Sequence, residues 1–188
     1  MFKNFLITCA QLLNRDDLVN AITKHSSLDL IESQQIQNDI LRLIHYYNHS
    51  ACALCEHYAE LSTTETFVSN ENSVVEFSTF TYSPVNIIGV YDEQNHPLKF
   101  FVNTFSVKTL HANKTLKITY SFTPPELKNF TDKVILPKRI LQTLSYAVVS
   151  EFFASKELFK ESNYWQSKFT NQLFKLKPSK ERRLKSTF

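Results

Sequence analysis

Five residues in one short window could hold a metal ion: His45, His49, Cys52, Cys55 and His57. Imidazole nitrogen and thiolate sulfur are the ligands zinc prefers. On a helix His45, His49 and Cys52 fall within about 60° of one another, with Cys55 at the edge of that arc. They point away from the apolar face of the same segment, toward a surface or an interface. A structural zinc normally draws two ligand pairs from separate elements, and here one helix would supply nearly all of them. Surface histidines beside small, partly buried cysteines are the better reading. No metal or other cofactor is expected, and His45, His49 and Cys52 stand as the weak candidates.

Other chemistry has less to work with. Gly89 is the single glycine, where average usage would give about 13. Every glycine-dependent phosphate cradle is thereby excluded, and so is the G-x-S-x-G nucleophile elbow. Asp16 and Asp17 read as a helix cap rather than an acid–base dyad. No nucleophile has a signature around it, so an enzyme is not expected.

The elements that would position these residues follow from periodicity. Phe2 to Lys24 reads as one or two amphipathic helices broken at Asn14–Asp17, with Asp16 or Asp17 capping the second. An amphipathic helix explains this start better than a secretion signal does. Asp29 with Glu32 has the spacing of a capping box. Ile36, Ile40, Leu43, Tyr47, Ala51, Leu54 and Tyr58 then form one apolar stripe on a helix ending near Tyr58. From residue 62 the period changes to two. Thr66-Phe-Val, Val74-Val-Glu-Phe, Val85–Tyr91, Leu98–Val102 and Leu116–Phe122 predict four to six antiparallel strands. Asn70/Asn72, Asn95 and Asn113 stand in for glycine at the turns. Pro124-Pro125 closes the strand region, and Pro137 sits where a helix can start. Ile140/Leu141, Leu144, Val148 and Phe152 make one stripe. Leu158, Trp165, Phe169, Leu173 and Leu176 make a second after a break at Ala154-Ser155. The order helices, strands, helices predicts an α+β fold.

The 188 residues suit one domain able to bury roughly two-thirds of its unfolded surface. Three cysteines, an odd number, suggest a reducing compartment. No apolar run approaches the length of a membrane span. The net charge of +3 hides an asymmetry. Residues 168–188 carry seven Lys or Arg against Glu181 alone, while the rest of the chain has a balance of −3. A basic end of this kind can be a solvated terminus, a phosphate contact or a docking peptide. Leu184 and Phe188, four apart, give it apolar anchors beside Arg182 and Lys185.

This layout resembles the head-to-tail adaptor proteins of short-tailed bacteriophages, of the tail-tubular-protein-A type, which also occur as neck ring proteins in crAss-like phages. The residues that carry the resemblance are the Asp29–Tyr58 helix and the strand ending Ile118-Thr-Tyr-Ser-Phe-Thr-Pro124. The Leu136-Pro137 helix start and the Tyr164-Trp165…Phe169…Leu173 helix complete it. The shortage of glycine departs from many members. The resemblance implies a single adaptor domain over 1–176, with a β-region of about 62–124 set between the helical parts, and a docking tail over 177–188. It implies a structural subunit of a twelve-copy ring that connects the portal to the tail and forms part of the DNA conduit. The partners would be the portal protein, copies of itself and other neck or tail proteins. Genomic DNA would pass through the lumen without specific binding, and no membrane would be involved. The chain would be made in the host cytoplasm and reside in the virion. Lys180, Arg182, Arg183, Leu184, Lys185 and Phe188 would dock on the portal, and the His45/His49 side would meet a neighbouring copy. The second expectation is a small cytosolic nucleic-acid-binding protein using the same tail.

Overall fold

The structure, a computed structural model, describes residues 2–57 and 60–176. It is α+β, with helices α1 (Phe2–Leu12), α2 (Asp16–Lys24), α3 (Gln34–His57), α4 (Lys138–Ser155) and α5 (Phe159–Leu176). The strands are β1 (Leu61–Val68), β2 (Val74–Glu76), β3 (Pro84–Tyr91), β4 (Phe100–Asn103), β5 (Ser106–Thr109) and β6 (Thr115–Phe122). The chain divides into two compact units. One is helical and is built from both ends of the described chain; the other is Glu60–Pro125 and holds all six strands.

In the helical unit α4 packs against α1, α3 and α5. Its buried set is nearly all round: Thr143, Leu144, Ser145, Ala147, Val148, Val149, Ser150 and Phe152. The small hydroxyls make this possible. Ser145 Oγ donates to the Gln142 carbonyl at 2.8 Å, and Ser150 Oγ to the Ser162 carbonyl on α5 at 2.9 Å. Bonded in this way, serine fills core space without the penalty of an unpaired hydroxyl. Helix α3 buries Ile40, Leu43, Tyr47, Ala51 and Leu54 of its stripe and adds Ile44 and Cys55; Ile36 is half-buried, and Tyr58 lies outside the described residues. Phe2 and Phe5 of α1 close on Tyr47, with ring centroids 4.8 and 4.9 Å away. The connector before α4 adds Leu127, Phe130 and Leu136 to this core. The Asn48 side chain holds it by bonding both backbone groups of Leu127, at 2.8 and 2.9 Å.

Several boundaries differ from the sequence reading. Asp29 lies in a short 3-10 turn, Leu28–Leu30, and its N–H points to Ser27 Oγ. The residue before α3 is Ser33, whose Oγ accepts from the Ile36 N–H at 3.5 Å. Arg15, not an aspartate, precedes α2; Asp16 and Asp17 occupy its first turn, where their charge still suits the helix dipole. Pro137 precedes α4 with φ −58°, as a proline at a helix start should. Leu158 lies outside α5 and is exposed, so the second stripe begins later. Within α5 only Ser162 and Leu173 are buried, each still 9% exposed.

The β unit holds two three-stranded antiparallel sheets, ordered β1-β6-β3 and β2-β5-β4. The clean alternation of β6 buries Leu116, Ile118, Tyr120 and Phe122 on one face. Phe80 stacks on Phe67 at 4.3 Å and meets Tyr120 edge-on at 4.8 Å. The Tyr120 hydroxyl donates to Glu65, which also accepts the Thr81 N–H at 3.1 Å. Burial and that carboxylate push the Tyr120 phenol up to about 12. Asn95 and Asn113 take positive φ, 66° and 51°, as glycine substitutes. In the third turn the positive φ falls on Ser73, at 62°. Asn70 serves there through its side chain instead, accepting the N–H groups of Asn72 and Val74 at 3.0 and 2.9 Å.

Gly89 is needed for space rather than for φ. It follows a bulge in β3, and a Cβ built on it would lie 2.6 Å from the Tyr91 hydroxyl and 2.9 Å from the ring. Gly89→Ala is expected to cost about 1 kcal/mol, because the ring must swing aside. In a Tyr91→Ala background most of that cost should vanish, and urea unfolding of the two single variants and the double variant reads the coupling directly.

Candidate functional site

His45, His49 and Cys52 all lie on the exposed side of α3, as their helical angles predict. They are not gathered into a ligand set: among the described residues no group of three His, Cys, Asp or Glu could hold a metal ion. His49 Nδ1 lies 3.5 Å from Glu151 Oε1, which also accepts Ser50 Oγ at 2.9 Å. His45 meets the Tyr46 ring edge-on. The His57 side chain lies outside the described residues.

The three thiols sit in different surroundings. Cys9 and Cys55 are buried and Cys52 is exposed. Burial pushes the Cys9 thiol far up, and it raises Cys55 to about 11. Partial burial and then the Glu56 carboxylate raise Cys52 as well, so none of them is an activated nucleophile. A disulfide-exchange reagent at pH 8 should modify one thiol, Cys52, in the native protein and all three in denaturant. Rapid modification of all three would contradict the packing of α1 and α3. The pH dependence has one sign. These groups are held protonated in the folded chain, so their contribution is complete below the ordinary thiol range and declines as pH rises above it.

A residue that pattern reading passed over is the best-defined polar feature of the helical unit. Asp39 is 1% exposed and has three cations around it. Lys156 Nζ lies 2.9 Å from Oδ1, Arg15 Nη1 3.1 Å from Oδ2, and Arg42 Nη1 3.6 Å from Oδ1. Arg15 also grips Asp17 with two bonds, at 2.6 and 2.8 Å, and its own pKa is raised first by that contact. The cluster joins the residue before α2, the first turns of α3 and the residue after α4. Asp39 is held from both sides by Arg15 and Lys156, which makes the cluster a brace between these elements. The available signal was position: Asp39 is three residues from Ile36 and four from Leu43, on the apolar stripe itself.

The β unit contains a pocket of about 280 Å³ lined by Asp92, Glu93, Gln94, Leu98, His111, Lys114, Thr115 and Leu116. Its lining holds no serine or cysteine. Asp92 is spent on its own turn: Oδ1 accepts the His96 N–H at 2.8 Å and Oδ2 lies 3.1 Å from His96 Nδ1. Those bonds, the backbone one foremost, hold the Asp92 carboxyl below the usual range. The neighbouring Lys117 ammonium donates to the Glu93 carbonyl at 3.1 Å and Asn95 Oδ1 at 2.8 Å. These contacts stabilise a loop and present no nucleophile–base pair.

The surface is more informative than the cavities. In the β unit Phe105 is 78% exposed, Leu110 68%, Phe101 65% and Val102 52%. In the helical unit Leu158, Phe159 and Tyr164 are exposed around the start of α5. Large apolar side chains left this open are candidates for a contact surface where they lie together. Lys168 lies over the rings of Tyr164 and Trp165, at 4.5 and 4.8 Å, and Trp165 stacks on Tyr146. The charge is also segregated along the β unit. Residues 60–93 carry six acids and no Lys or Arg, whereas 94–125 carry four lysines and no acid. The tail residues Lys180, Arg182, Arg183, Leu184, Lys185 and Phe188 lie outside the described residues.

Among the described residues no helix is long and apolar enough to cross a membrane. No family model matches the chain, and comparison with curated proteins finds no relative.

Proposed function

We propose that this chain is a structural, non-enzymatic subunit of an oligomeric ring in a bacteriophage neck, connecting the portal to the tail and forming part of the DNA conduit. The observation that carries the reading is the order of the parts. Both ends of the described chain build one helical unit, a β unit interrupts them between α3 and α4, and a basic, amphipathic segment follows α5. That is the plan of the adaptor family which the sequence resembles. The exposed apolar groups on the β4–β5 hairpin and around the start of α5 add support, because ring subunits cover such surfaces with neighbours. So does the small net negative charge outside the basic end, which suits a conduit through which DNA must slide.

In this role the portal protein is the partner of the tail, with Leu184 and Phe188 as anchors and Arg182, Arg183 and Lys185 as the charged contacts. Copies of the chain form the ring, twelve by the family's plan, and other neck or tail proteins lie below. Genomic DNA traverses the ring without specific recognition, and no cofactor takes part. The chain is made in the host cytoplasm and ends in the virion. The reading is tested on purified particles, where the protein belongs at the portal vertex and in fixed proportion to it.

A further inference from the structure

The two sheets of the β unit have four edges, and they differ in how they are closed. Successive residues of an antiparallel strand turn their backbone groups to alternate sides. The Thr109 N–H donates to the Ser73 carbonyl and the Phe77 N–H to the Phe105 carbonyl, both at 2.9 Å. Phe105, Val107 and Thr109 therefore face β2, and Ser106 and Lys108 face β4. Given the register Phe101↔Lys108 and Asn103↔Ser106, the outward backbone groups of β4 are those of Phe100 and Val102.

The β2 edge is blocked. Its outward residues are Val74 and Glu76. Asn70 takes both backbone groups of Val74, at 2.9 and 3.0 Å, and Thr79 Oγ1 donates to the Glu76 carbonyl at 2.7 Å. The β3 edge begins with Pro84 and is bent by two register shifts. Among the described residues the β1 edge has no such device. Ser69 N–H donates to the Lys114 carbonyl, so the alternation turns Ser62, Thr64, Thr66 and Val68 outward along an eight-residue strand without bulge or proline. The β4 edge is equally open, and Val102 shows what is missing from it. Val102 sits opposite buried Val107, on the core face of its sheet, yet is half exposed. A further strand would cover it.

These two open edges have opposite character. β1 belongs to the acid-only stretch, with Glu60 immediately before it; Glu65, within the strand, is already bonded to Tyr120 and Thr81. β4 lies in the lysine-only stretch, with Lys99 before it and Lys108 paired to Phe101. We infer that the β4 edge of one copy adds to the β1 edge of the next, joining the two sheets across a subunit boundary. The occupant of each edge is a second copy of this chain, since each edge offers the charge the other lacks, Glu60 beside β1 and Lys99 with Lys108 beside β4. Because two different edges meet, the contact is head-to-tail and propagates into a ring or a filament. The inference rests on the ring reading for its setting and specifies which surfaces of the β unit would join.

The test uses Val102→Pro and Thr66→Pro. Each removes an outward N–H and leaves the strand's own ladder intact. Circular dichroism confirms that both variants fold, and sedimentation velocity over a concentration series reads assembly. Wild type should self-associate, less so at high salt, and each variant alone should stay monomeric. A mixture of the two should stop at dimers, since each variant keeps one working edge. Wild type remaining monomeric at its highest soluble concentration, or proline variants assembling as wild type does, overturns the inference. The outcomes separate it from the neck reading. Edge-dependent assembly by a chain absent from particles defeats only the neck reading. A chain present at the vertex whose proline variants still assemble defeats only the edge pairing.

Discussion

Asp39→Ala is expected to destabilise the helical unit by about 3 kcal/mol, the low end for removing one partner of a buried ionic cluster. The carboxylate is almost fully buried, while the Arg15 and Lys156 side chains remain about a third exposed, so water recovers part of their charge. What remains after the substitution is the apposition of Arg15, Arg42 and Lys156 with no shared anion between them. For a chain of this length the loss should lower Tm by about 6–12 °C. Arg42→Ala is the control. Its contact is the longest of the three and its side chain is 47% exposed, so it should cost under about 0.5 kcal/mol. Equal effects from the two substitutions would contradict the brace. Asp39→Asn keeps the shape and loses the charge, and should fall between them.

Deletion of residues 177–188 is expected to leave stability nearly unchanged while abolishing incorporation at the portal. The described core ends with α5, and Arg139 Nη2 already reaches the Lys175 carbonyl at 2.7 Å, so the last turn of that helix is tied to α4 without the tail. A subtler variant separates anchor from charge. Leu184→Ser with Phe188→Ser should impair joining to the portal while the basic groups remain. A tail acting through phosphate contact alone would tolerate those serines and lose binding steeply with salt. Normal particle assembly after the full deletion contradicts the docking role.

How much of this was legible in the sequence depended on whether the decisive interaction was local. The α3 stripe, the break between α1 and α2 and the strict alternation of β6 come from nearest-neighbour periodicity, and each holds in the fold. The start of α3 did not follow, because Asp29 and Ser33 both carry capping groups and only the packed chain selects between them. The burial of α4 on nearly every side was not legible, because Thr143, Ser145 and Ser150 are polar by type and enter the core only with their hydroxyls satisfied by helix carbonyls. The pairing of β1 with β6 spans some fifty residues, as in Thr64↔Thr119, and no local signal sets such a register. The exposed β4–β5 hairpin was equally silent, because an apolar strand reads as core until its neighbours are known.

The central claim is membership of a virion neck, and it is tested most directly by quantitative mass spectrometry of purified particles, scaled to the major capsid protein. The account predicts this chain in every particle at a fixed, low copy number equal to that of the portal. Its absence from particles while it is abundant in infected cells would contradict the structural role and leave the basic tail to be explained by nucleic acid or a host partner.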